Sequence, residues 1–419
     1  MKLAQRHLRL GALAALFASV SIACIDASGQ ADQGGTEPPD SGTPPLPLDG
    51  GAPPDDADGD GGSNPDATKP KRTCTSEGWC HTVVPGKQTL RSVWGDGQGT
   101  VWAVSAEGNV LRWDGSAWVQ SYAAGVPLET IWGSGPTDLW VGGGTPGSES
   151  ESPTGTLLHG TGMSSGTITW TAVPVPLTIR SIWGSGPSDV WAVASRGDRV
   201  SADDASFVLH YAGPPSGPDG GGAAWESDPV SNAFPAHFER VWGTGPNDVW
   251  VSGRVELNSW SSRGQVLHRR PDGQGGHEWL QEQPATEETT ARDVFGFSVS
   301  PAECLLIGFT SDFVGDGFLH RGLSSDQGAS FAWTEHSPHE TGFSDGALST
   351  LWGTSASDIW VAGQRGRLRH WDGVAWRVAV VSVDDDFPEQ RAINAIWGSS
   401  PDHVWAVGAD IAVHKSPKQ

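Results

Sequence analysis

Methionine and tyrosine are nearly missing from this 419-residue chain, at two residues each, and cysteine occurs four times. So few cysteines exclude a disulfide-built scaffold. Basic residues are also few, 26 Lys and Arg against 49 Asp and Glu, for a formal charge of −23. Such a chain does not neutralise phosphates, so nucleic acid is not an expected partner. No apolar run is long enough to cross a bilayer as a helix, and 57 Gly with 30 Pro exclude a long helical bundle. What is abundant is tryptophan, with 22 residues.

Residues 1–23 open with Lys2, Arg6 and Arg9 and continue with an apolar stretch from Leu10 to Ala23. That is the layout of a secretory signal peptide. It ends Ser21-Ile22-Ala23-Cys24, which resembles the lipobox of bacterial lipoproteins, with Ser21 in place of the usual leucine. The resemblance implies acylation of Cys24. The expected address is therefore the bacterial envelope, exported and lipid-anchored, with the outer membrane or cell surface favoured over the inner membrane and the choice between them left open by the residues after Cys24. Residues 24–73 form the lipidated cysteine and a tether. From Asp26 to Arg72 it is almost all Gly, Pro, Asp, Ser, Thr and Ala, too poor in apolar side chains to offset ordering entropy, and as a coil spans roughly 40 Å. Asp56 to Gly61 copies the start of an EF-hand loop, but Ala67 stands where a bidentate Glu belongs. No metal and no cofactor is expected.

Residues 74–419 repeat. The phrase W-G-x-G-x-x-D-V-W begins at Trp94, Trp132, Trp183, Trp242, Trp352 and Trp397, and a degenerate copy begins at Phe295 with Leu305 for the second tryptophan. Successive starts lie 38, 51, 59, 53, 57 and 45 residues apart, each the length of a four-stranded sheet with its loops. Every unit continues with a short apolar segment that carries His159, His210, His268, His320, His370 or His414, or Arg112 in the first unit. An outer tryptophan follows in six units (Trp118, Trp170, Trp225, Trp279, Trp333, Trp376), and the seventh ends without one. The missing residue is Trp79, at the other end of the repeat region. The fold class is thus all-β, a seven-bladed β-propeller closed by its N-terminal strand, which leaves no sheet edge open at the seam. Segments such as Val101-Trp102-Ala103-Val104 are apolar on both faces, as sandwiched sheets require.

Ser324-Ser325-Asp326-Gln327-Gly328-Ala329-Ser330-Phe331 resembles the Asp-box of sialidase-like (BNR) propellers, and Asp114 and Asp372 stand in shortened versions. In that family the aspartate braces the hairpin between the third and outer strands. The resemblance also suggests a glycan-binding or glycan-processing protein, with arginines gripping a carboxylated ligand. The family's catalysis needs a tyrosine nucleophile, and Tyr122 and Tyr211 fall on outer or third strands. No catalytic set is identified. Gly162 to Gly166 reads G-x-S-x-G, but in a hairpin, and His336 with His339 is a loop pair with zinc-like spacing.

Antiparallel order places the connections between second and third strands on one face, and these swell in four consecutive units, 142–155, 194–206, 252–265 and 308–317. Variable loops on a rigid frame mark a binding surface. Trp260 belongs to it. At the start of the innermost strands stand Arg91, Glu129, Arg180, Glu239, Arg292, Ser349 and Asn394, where alternating signs predict a ring of ion pairs or a ligand site. Cys74 and Cys80 predict a disulfide pinning the closing seam, and Cys304 takes a buried valine's place. The expected function is an envelope-anchored, non-catalytic binding or scaffolding module, monomeric, with an envelope protein or a glycan on one propeller face and the membrane reached only through its lipid.

Overall fold

The computed structural model describes residues 73–148, 151–164, 167–197, 206–214, 225–258, 261–284, 291–310, 317–336, 348–382 and 389–416. Cys24, the tether, the EF-hand-like run, Trp260 and His339 lie outside them. The described chain forms seven four-stranded antiparallel sheets. Blades 1 to 6 are residues 90–123, 128–173, 178–227, 237–282, 291–335 and 348–378. In each the strand order follows the sequence. Blade 7 takes three strands from residues 393–415, and its outer strand is Trp79–His81. Each first strand touches the first strand of the next blade, and that of blade 7 touches that of blade 1, so the circuit is closed.

The W-G dipeptide explains why the sheets form a ring. Tryptophan of one blade's first strand lies over the glycine of the next blade's dipeptide: Trp94 over Gly133, Trp132 over Gly184, Trp183 over Gly243, Trp352 over Gly398 and, across the closure, Trp397 over Gly95. A Cβ at these five glycines would stand 2.5–2.9 Å from the indole, a distance real atoms do not adopt. A unit of this kind carries both a knob and the hole for its neighbour's knob; the joint of blades 5 and 6, where Phe295 replaces the tryptophan, is the exception.

A second aromatic layer lies outside the first. Except in blade 6, whose preceding blade has Leu305 at that position, the outer tryptophan meets edge-on the second-strand tryptophan of the preceding blade, as with Trp170 on Trp102, Trp225 on Trp140, Trp279 on Trp191 and Trp118 on Trp405. Trp79 does the same on Trp360, with ring centroids 5.3 Å apart at 78°. Its side chain is 1% exposed. Burying an indole removes about 150–250 Å² from water, worth roughly 4–6 kcal/mol as an upper bound, so Trp79 is the dominant apolar contact of a strand only three residues long.

Within blades a polar network takes over. In blade 3, Asp189 accepts hydrogen bonds from His210 (2.7 Å), Ser185 (2.5 Å) and the Trp191 indole (3.0 Å). Blade 4 repeats it with Asp248, His268, Thr244 and Trp250, and blade 6 with Asp358, His370, Thr354 and Trp360. In blade 2, Asp138 holds His159 and Ser134. The histidine also stacks on its tryptophan at 3.9–4.1 Å in these four blades. Burial alone would raise Asp189 and Asp358, but the donors around them outweigh it and hold both carboxyls below their ordinary range.

Two expectations need correction. In blade 5, Leu305 pairs with Arg321, and His320 lies opposite Leu306. Arg321 therefore occupies the histidine's place and forms an ion pair with Glu303 at 2.7 Å. The disulfide Cys74–Cys80 is present. It does not cross the seam: it ties residues 73–75 back along the closing strand, with Thr75 N–H donating to Trp79 O and His81 N–H to Thr73 O. The seam itself is held by the pairs Trp79↔Lys415, Cys80↔His414 and His81↔Val413, and by the His81 ring against Val381 O. Cys304 is fully buried, and burial pushes its thiol well above the ordinary value. In the turn of residues 324–330, Asp326 accepts from Ser324 and from Ser330 N–H and Oγ.

Candidate functional site at the loop-rich face

The axial residues occupy a recurring backbone irregularity. The ladder between first and second strands slips at Leu90/Ser92, Leu128/Thr130, Ile179/Ser181, Phe238/Arg240, Leu348/Thr350 and Ile393/Ala395. Arg91, Glu129, Arg180, Glu239, Ser349 and Asn394 are the extra residues of these bulges. A bulge re-aims a side chain that regular pleating would send into a sheet face. Arg292 is paired with Phe309 at the edge of a wider slip in blade 5, and its side chain is outside the described set.

These positions do not make a uniform ring of ion pairs. Arg91 and Glu129 join blades 1 and 2 at 3.9 Å, a long separation for an arginine that is 42% exposed. Arg180 donates from Nε to Ser195 Oγ of its own blade at 3.1 Å. Glu239 turns to Arg254 (3.7 Å) and His237 (3.5 Å), also within its blade. Burial would raise Glu239; His237, Arg254 and Arg240 together lower it. In blades 6 and 7 the position is structural: Ser349 donates to Ile393 O and Asn394 to Leu90 O, each stitching one blade to the next. A hydroxyl one residue further on stitches three other joints, with Ile131 N–H donating to Ser92, Ile182 N–H to Thr130 and Val241 N–H to Ser181. Ser252 donates to Val294 O at the joint of blades 4 and 5.

The described parts of the variable connections of blades 2 to 4 form a wall on one side of the axis, and residues 311–316 of the blade 5 connection lie outside the described residues. Gly147 of blade 2 lies in a parallel bridge with Gly197 of blade 3 and donates to Arg196 O at 2.9 Å. The buried His237 ring of blade 4 bonds Gly197 O at 3.0 Å. Three blades are tied in series. The segment expected as a loop over 252–265 is instead mostly ladder: the second and third strands of blade 4, Asp248–Asn258 and Ser261–Pro271, pair far beyond the first strand, which begins at His237 opposite Arg254. Alternation of Val255 and its neighbours lets the hairpin extend, and only the turn that holds Trp260 falls outside description. In blade 2 likewise the strands run on to Thr145 and from Thr154.

Opposite this wall the rim is low. Blades 6 and 7 join second to third strands by turns that place Arg365 (φ 58°) and Asp410 (φ 56°) in the left-handed region. Arg391 is clamped by Glu389 at 2.6 and 2.9 Å and donates to Asp410 O. Such a rim is bonded to itself. The wall and the axial charges next to it were only partly evident from sequence: loop length signals the wall, but the inter-blade bridges depend on register and carry no motif. Among the described residues no group of three or more His, Cys, Asp or Glu is gathered for a metal. His336 packs against Trp371 and Trp376.

Solved structures share this fold. YCF48 from Cyanidioschyzon merolae superposes with a TM-score of 0.55 at 15% identity, over 82% of this chain and 100% of that one. YCF48 bound to D1 peptide gives 0.53 at 16%, over 83% and 100%. The extracellular domain of the putative hybrid two-component system BT3049 from B. thetaiotaomicron gives 0.54 at 11%, over 81% of this chain and 41% of that one. At these identities the likeness is one of fold. No protein-family model and no curated protein matches the chain.

Proposed function

We propose that this propeller is a protein-binding or scaffolding module that receives its partner on the loop-rich face, beside the wall of blades 2 to 4. The observation that carries the reading is the asymmetry of that face among the described residues: one closed frame, with connections built up and tied together at blades 2 to 4 and tight turns at blades 6, 7 and 1. Rigid frames with a raised irregular surface suit recognition. A propeller of the same fold, YCF48, has been solved with a peptide bound. In the same reading the module works at the bacterial envelope, exported by residues 1–23 and held by a lipid on Cys24, with the tether between.

Affinity capture by the full chain from envelope extracts tests the partner. The expected outcome is a protein retained by wild type and lost from a variant with Arg91→Glu and Arg254→Glu. A glycan is the second reading, favoured by the Asp326 turn and the axial arginines; binding on a glycan array with no protein captured would establish it instead. Labelled fatty acid incorporated into wild type and not into Cys24→Ala tests the anchor.

A further inference from the structure

We propose that the closing blade is a pH-sensitive latch, in which His403 faces His414 where five of the other blades pair an acid with a base, so that acidification releases the closing strand Trp79–His81 before the remaining blades open. The pair of positions concerned is the residue two before the second-strand tryptophan and the third-strand residue opposite that tryptophan. Blades 2, 3, 4 and 6 place aspartate and histidine there, in contact at 2.6–2.8 Å. Blade 5 has Glu303 and Arg321, and blade 1 has Thr100 and Arg112. Only blade 7 has two imidazoles, with centroids 5.9 Å apart and planes 27° from parallel.

Among the described residues no carboxylate takes the missing one's place. From the second strand the groups toward His414 are His403 and Trp405, on which its ring stacks at 4.3 Å. Asp402 next door is engaged with Lys415, which also bonds Pro401 O and lies over Trp360 of blade 6. On the closing strand the residue opposite is Cys80, held in its disulfide, and the adjacent His81 ring is on Val381 O. From blade 1, Trp113 and Trp118 pack on Trp405. The charged residues of that hairpin are Arg112 and Asp114, and Asp114 is occupied by Ser116 and Ala117.

Burial and the neighbouring His403 bring His414 down to about 4. An opened seam would return it to the ordinary histidine value of about 6.5. The open form then binds a proton that the closed form does not, so closure is fully stable at neutral pH and weakens as pH falls from about 6.5 toward 4. His414 is the middle residue of the three that pair with the closing strand. That strand is also the one continuous with the tether, so its release would free the ring at its attachment.

Amide hydrogen exchange of the full chain at pH 7.5 and 5.0, corrected for intrinsic rates, tests this. The opening constant of Trp79–His81 and Ile411–Lys415 should rise about thirtyfold at the lower pH, the factor that linkage gives for such a displacement. The strand Asp189–Ser195 of blade 3 should change less than about threefold. His403→Asp should reduce the seam's rise to that of blade 3, and His414→Phe, which keeps a ring on Trp405, should abolish it. Equal loss of protection in all blades, or an unchanged acid response in His414→Phe, would overturn the proposal.

Discussion

Blades 6, 7 and 1 and blades 2, 3 and 4 use the same frame for different ends. On the first side the connections are tight turns, the axial Ser349 and Asn394 bond neighbouring backbones, and Arg391 closes on Glu389. On the second the connections rise, bridge from blade to blade through Gly147, Gly197 and His237, and leave charged side chains at the axis. The frame beneath does not distinguish the sides: the tryptophan-on-glycine joint is the same at Gly95 and Gly398 as at Gly133 and Gly184. Where stability is supplied by a layer that repeats, the surface above it is left open to vary.

If this division is right, damage to the frame should be severe on either side, whereas damage to the wall should leave the fold alone. Trp79→Ala should cost about 3–5 kcal/mol in urea unfolding, because it removes the principal apolar contact of the closing strand. Gly184→Val and Gly398→Val, one on each side, should each cost about 3 kcal/mol, since backbone and indole both stand in the way of the new side chain; a mild effect on one side alone would break the comparison. Asp189→Ala should cost about 1–3 kcal/mol by leaving His210 and Trp191 without their acceptor. The wild-type contribution of Asp189 and Asp358, whose carboxyls are depressed in the folded chain, is complete above the ordinary aspartate range and declines as pH falls below about 4, which a Tm series in acid would show. Arg91→Ala should change stability by less than about 1 kcal/mol, its ion pair being long and exposed, while weakening partner capture.

The frame was legible because it is written seven times. Trp79 could be assigned to the last sheet from sequence because six units have an outer tryptophan and one lacks it, and the pair Trp79 and Trp360 has the geometry of its equivalents. The aspartate before each V-W doublet was visible too, yet its bond to the third-strand histidine was not, since a sequence separation of 20 or 21 residues in blades 2 to 4 hides a contact that only antiparallel pairing creates. Blade 5 shows the same limit: Arg321, not His320, stands opposite Leu305, a matter of register that the histidine pattern does not announce. The axial position recurs in the sequence, but its bulge, and hence the turn of Glu239 toward Arg254, lies in backbone register that no residue pattern announces.

The most direct test of the division of labour is photo-crosslinking in cells from a reactive residue placed at Arg263 on the wall, at Arg365 on the low rim, or at Ser188 on the opposite face, all three exposed. A discrete protein adduct from Arg263, weak from Arg365 and missing from Ser188, is the predicted result. An adduct that forms chiefly from Ser188, or equally from all three, would contradict the assignment of the partner to the wall of blades 2 to 4.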